Sequence, residues 1–170
     1  MEKDTKIILG VVLILLLAVV SFNFNSLTGR AVSTSRTSNL PYDATIEYVS
    51  NVPRVIGLGQ TALVEVGVKN IGTYPWSSKD LIKLGSQNPQ DNNIWGLNRV
   101  ELDSGAVVKP GEVYTFTFLI RAPNSPGTYN FKWQMVKEFV TWFGDQTVNS
   151  QVAVSQSAPL PHQATKATSC

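Results

Sequence analysis

Side chains able to support chemistry are scarce in this 170-residue sequence, and they are scattered. The only histidine is His162 and the only cysteine is Cys170, both near the C-terminus. That count removes a Cys/His or Ser/His nucleophilic site, a His/Cys zinc site and an intrachain disulfide framework. Glu101 and Asp103 alternate on one strand face, and acid–base catalysis needs two carboxyl groups about 5–10 Å apart with split pKa values. No cleft-forming feature accompanies them, so they read as a solvated strand end. Arg99 is expected to pair at the surface with Glu101 or Asp91. Residues 86–93, Ser-Gln-Asn-Pro-Gln-Asp-Asn-Asn, are dense in oxygen and amide groups. Calcium takes about six to eight oxygens, and Asp91 is the one local charge, so a metal site would be weak. A loop held by Asn and Asp side chains bonded to their own backbone is the better reading. No catalytic residue, metal or cofactor is expected, and the chain does not read as an enzyme.

The four tryptophans are the other candidates. Trp133 alternates with Tyr129, Phe131 and Met135, so these four read as one inward face and a core signature. Trp76 follows a proline, Trp95 lies in the polar loop, and Trp142 heads Trp-Phe-Gly. Those three indoles offer large contact area at little entropic cost, which suits a sugar ring or a peptide. The competing reading is that they plug the ends of the fold with their N–H groups bonded to loop carbonyls. The candidate binding surface is therefore Trp76, Trp95, Trp142, Asn88, Asp91, Asn92 and Asn93, since exposed loops on a rigid scaffold carry binding surfaces.

Elements must hold these residues, and their period is two rather than 3.6. Val64, Val66 and Val68 alternate with Glu65, Gly67 and Lys69. Tyr114, Phe116, Phe118 and Ile120 do the same, as does the Tyr129–Met135 series. Each is a strand with one buried and one wet face. Lys109-Pro110-Gly111-Glu112 and Ser125-Pro126-Gly127-Thr128 place Pro then Gly at the two corners of a type II turn. Further strands are expected at 44–50, 81–84, 97–102 and 146–154. Some seven short strands over about 110 residues describe an antiparallel β-sandwich. Without a disulfide, such a core needs most of its aromatic residues buried.

The ends of the chain differ in kind. Residues 7–22 are uncharged and apolar and reach roughly 24 Å as a helix, with residues 23–26 completing a span at interface depth. An uncleaved signal anchor is the favoured reading, a cleaved signal peptide the other. The short N-terminal head is easily left behind, so the C-terminal domain is expected outside the cytoplasm. Residues 33–38 are small and polar and form a tether. Residues 39–155 carry nine Lys/Arg against ten Asp/Glu. A nearly neutral module has no means of neutralising a phosphate backbone, so no nucleic-acid partner is expected.

The text around the tryptophans is distinctive: Asn70-Ile71-Gly72-Thr73-Tyr74-Pro75-Trp76, the long Leu84–Val100 stretch carrying Trp95, Ala122–Met135 carrying Trp133, and Trp142-Phe143-Gly144. This resembles the four-tryptophan (FW) Ig-like domain, as in the central domain of the "next to breast-cancer-gene" cargo receptor and in prokaryotic surface proteins. The resemblance covers roughly residues 45–154 and implies an immunoglobulin-like sandwich that binds proteins without chemistry of its own. That receptor's other domains are absent, so its role in autophagy does not carry over. The expected organisation is a signal anchor or peptide at 1–27 and a linker at 28–43. The Ig-like domain follows at 44–155, with a flexible tail at 156–170. The expected function is a single-pass, membrane-anchored module that binds an unknown protein partner at the cell surface. A carbohydrate- or cell-wall-binding module stacking surface polysaccharide on exposed tryptophans is the alternative.

Overall fold

A computed structural model describes residues 36–156. The expected anchor at 1–27, the first part of the linker and nearly all of the expected tail lie outside the described residues. Among the described residues every regular element is a strand, apart from one 3-10 turn at Ser78–Asp80. Among the described residues no helix is long and apolar enough to cross a membrane.

The first sheet is ordered β1 (Ala44–Ser50), β3 (Thr61–Asn70), β8 (Val113–Arg121). β3 and β8 run antiparallel in unbroken register from Thr61↔Arg121 to Lys69↔Val113. That register sets Val64, Val66 and Val68 opposite Phe118, Phe116 and Tyr114 on the inner face, as period-two alternation requires. The second sheet is ordered β11 (Thr141–Gln146), β10 (Trp133–Lys137), β5 (Ile82–Ser86), β6 (Arg99–Glu101). β9 (Gly127–Phe131) precedes β10 with only Lys132 between them, and pairs with β12 (Ser150–Ser155). β12 in turn pairs parallel to β2 (Val55–Gly57), and β4 (Trp76–Ser77) pairs with β7 (Val107–Val108).

The core lies between these sheets. Phe118 of β8 meets Trp133 of β10 edge-on with ring centroids 5.0 Å apart. Phe131 lies 5.9 Å from the Trp133 ring and 6.3 Å from that of Trp95. Phe131, Trp133 and Met135 are fully buried, while Tyr129 is half-buried and sends its hydroxyl to the Ser125 carbonyl at 3.0 Å. Aromatic contact across the gap supplies what a disulfide supplies elsewhere in this fold class.

Two local expectations are corrected. The single strand expected at 146–154 is the end of β11 and all of β12, separated by residues 147–149. β11 carries a bulge, because Gln134 pairs with Gln146 but its neighbour Met135 pairs with Phe143. Gly144 occupies that bulge at φ 70°. The second Pro-Gly corner is not a type II turn. Gly127 opens β9 opposite Val154 without a positive φ, whereas Gly111 sits at φ 88° and Glu112 N–H reaches the Lys109 carbonyl at 3.0 Å.

Candidate binding surface

The loop between β5 and β6 is built around Asn92. Its Nδ2 donates to the carbonyls of Gln87 at 3.2 Å and Pro89 at 2.5 Å, and its Oδ1 accepts from Ile94 N–H at 3.1 Å. Ser86 Oγ donates to the Asn92 carbonyl at 2.7 Å. These bonds let the chain turn through Asn88 and Asp91 at φ 60° and 62°, values that Asn and Asp tolerate better than most residues. Asn88, Asp91 and Asn93 are exposed and Asn92 is half-buried. Beneath them Trp95, 2% exposed, plugs the end of the sandwich. Its Nε1 donates to the Asn130 carbonyl at 2.8 Å, and its own carbonyl accepts from Arg121 N–H at 2.9 Å.

A second cluster lies on the outer face of the β6–β5–β10–β11 sheet. Trp142 of β11 reaches across to Gly85 of β5, where a Cβ would stand 2.5 Å from the ring edge. Arg99 caps the indole with its guanidinium 5.0 Å from the ring centroid. The same group bonds Glu138 at 2.7 Å and Asp91 at 2.5 Å. Burial works against the guanidinium charge, but the hydrogen bonds and charges of Glu138 and Asp91 outweigh it and hold Arg99 above its ordinary pKa. Glu101, one of the partners expected for Arg99, pairs instead with Lys83 at 2.8 Å. That ion pair also takes up one member of the Glu101/Asp103 carboxylate pair. Trp142 forms a wall common to two shallow grooves of roughly 530 and 260 Å³.

The candidate residues therefore do not share one face. Trp76 is fully buried against Phe143, with centroids 5.8 Å apart, and Trp95 is the plug just described, so neither indole offers a face for stacking. Trp142 is half-buried between Arg99 and Gly85. The loop residues Asn88, Asp91 and Asn93 remain as the solvent-facing part, with Asp91 linked to the Trp142 cluster through Arg99. Sequence reasoning missed Gly85 and Glu138. A glycine within a strand signals close approach, and Gly85 carried that signal. Glu138 carried none, because it stands 39 positions from Arg99. Among the described residues no group of His, Cys, Asp and Glu is placed to hold a metal ion.

Two facing sheets, a Trp-centred core and loops gathered at the sandwich ends define an Ig-like domain. The description "Ig-like domain from next to BRCA1 gene" matches residues 59–154, and the chain belongs to that family. The fold is that of a general protein-interaction module. No curated protein matches the chain. Among solved structures it is similar to the CARDB domain of a Pyrococcus furiosus protein in solution, at 20% identity and TM-score 0.47, covering 71% of this chain and 100% of that one. A crystal form of the same domain with two metal ions gives 18% identity and TM-score 0.44 over 71% and 95%. A Listeria innocua β-glucosidase gives 16% identity and TM-score 0.35 over 66% of this chain and 16% of its own.

Proposed function

We propose that this chain is a non-enzymatic binding module, anchored in a membrane by residues 7–22 and presenting its Ig-like domain outside the cytoplasm to a protein partner. The observation that carries this reading is the β5–β6 loop. Its exposed Asn88, Asp91 and Asn93 are held in place by the half-buried bonds of Asn92 and by Trp95 below. A loop fixed before binding loses little entropy when a partner arrives, and its amide and carboxylate groups suit polar contacts at a protein surface. Stacking of sugar rings draws no support from Trp76 and Trp95, whose indoles face the core.

The test is a photo-crosslinking residue at Asn93 in the full chain, expressed in its native membrane. A discrete protein adduct, lost when Asp91 is changed to Arg, is the expected result. Retention of the chain on surface polysaccharide without any protein adduct would overturn the reading. Protease added to intact cells should remove the domain; full protection without detergent would overturn its placement outside.

A further inference from the structure

One end of the sandwich is more apolar than its own packing requires. Ala44 pairs with Asn70 at the end of β3, and Ile82 at the start of β5 pairs with Lys137 at the end of β10. Residues 36–43, 71–81 and 138–140 therefore gather at the same end. Bonds between them fix the arrangement. Thr73 N–H donates to the Leu40 carbonyl at 2.9 Å and Tyr74 N–H to that of Pro41 at 3.0 Å. Glu138 N–H donates to the Leu81 carbonyl at 3.1 Å, and Lys137 Nζ to Tyr42 Oη at 2.6 Å. On this frame Phe139 is 97% exposed and Val140 66%, with Leu40, Tyr74 and Leu81 about half exposed around them.

Phe139 and Leu81 also sit at φ 63° and 56°. Side chains with a Cβ avoid that region because the Cβ crowds the following carbonyl, and Asn or Gly is the usual occupant. A phenylalanine held there, almost wholly in water, is unfavourable for both backbone and hydration. Turn hydrogen bonds hold both positions, Leu81 N–H donating to the Ser78 carbonyl at 3.2 Å and Val140 N–H to that of Lys137 at 3.1 Å. The Phe139 ring nonetheless stays in water, and strain of this kind collects where a segment meets a ligand.

We propose that this end docks on a lipid surface, with Phe139 and Val140 at the tip of the β10–β11 hairpin entering the interfacial layer. The proposal rests on the reading of residues 7–22 as a membrane anchor. Two observations favour lipid over another occupant. Phe139 and Val140 rim only the smaller, shallow groove and project from a turn at 97% and 66% exposure, which suits a soft apolar medium better than a shaped pocket. The described chain also begins at this end, and the thirteen residues between the apolar run and Arg36 reach at most about 45 Å when extended. The medium that holds the anchor is therefore within range of this end. Exposed Lys79 and Lys109 here are matched by exposed Asp80 and Glu112, so apolar insertion and not headgroup charge drives the contact.

The experiment uses the full chain with Cys170→Ser, reconstituted in phosphatidylcholine vesicles. A single cysteine at exposed Thr141, or at exposed Ser125 beyond the far end of β8, carries an environment-sensitive fluorophore, and a fraction of the lipid bears a nitroxide headgroup. Quenching at position 141 is expected to exceed that at 125 several-fold and to survive 1 M salt. It should fall to the level of 125 in Phe139→Ser/Val140→Ser, whose unchanged tryptophan emission would show an intact fold. Equal quenching at both positions in chains that float with the vesicles would overturn the docking while leaving the anchor in place. Chains that do not float would overturn both. Energy transfer between labelled chains without lipid quenching would assign the face to a second copy, and would also overturn the proposal.

Discussion

A missing side chain decides where Trp142 lies. Gly85 leaves the gap that the indole edge fills, and Arg99 closes it from above while bonded to Glu138 and Asp91. Gly85→Ala is expected to destabilise the domain by about 1–3 kcal/mol, because the new Cβ meets the ring edge and the indole must shift from its place under Arg99. Chemical denaturation checks this, and Gly85→Ala/Trp142→Ala should lose less than the two single changes added together. Tyr114 gives a pH-dependent test. Burial pushes its phenol up, and the charge of Asp103 adds to this against the Asp103 N–H bond to its oxygen. The neutral phenol is thus favoured in the folded state. Its stabilisation is whole below the unfolded tyrosine pKa of about 10 and is lost as pH rises through the higher folded value. Tyr114→Phe should flatten the alkaline fall in melting temperature above about pH 10 relative to the unchanged chain. At this scale the sequence named Trp142, Arg99 and Asp91, and of the two partners it offered Arg99, Asp91 is bonded while Glu101 pairs with Lys83. The true second partner, Glu138, arrives from a different strand hairpin, and that proximity exists only once the sheet has formed.

Strands were the most legible elements. β3, β8 and the β9–β10 line follow directly from alternation, since one face of each meets the opposite sheet. β11 was not expected apart from Gln146, because Gly144 and Asp145, the bulge residues, interrupt the alternation that would have marked it. The hairpin tip was illegible for a related reason: two apolar residues between strands look like core until the turn carries them outward. The β5–β6 loop was recognisable from its Asn-rich text, and the structure adds which asparagine does the holding. Asn92→Ala is expected to cost about 1–3 kcal/mol, as the carbonyls of buried Gln87 and exposed Pro89 and the amide of half-buried Ile94 lose their partner. Hydrogen exchange should report faster exchange of the Ile94 amide, with β3 and β8 amides changed only by the global loss.

The whole described domain is an unstapled sandwich whose order depends on rings meeting between sheets. Trp76, Trp95 and Trp133 are enclosed there, each touching another aromatic ring, and this enclosure leaves the loops as the candidate binding surface. The domain's charge balance, its anchor-like leader and the lack of a clustered catalytic set pointed toward a binding module before any fold was known. Which indoles were enclosed was not visible, because Trp76 and Trp95 stand outside the alternating runs. Collisional quenching of tryptophan emission by acrylamide in the full chain tests this enclosure most directly. Quenching should be shallow, should come from half-buried Trp142 and nearly vanish in Trp142→Phe, and oligosaccharides should leave the emission unchanged. Strong quenching that persists in Trp142→Phe, or a sugar-induced shift in that variant, would contradict the account.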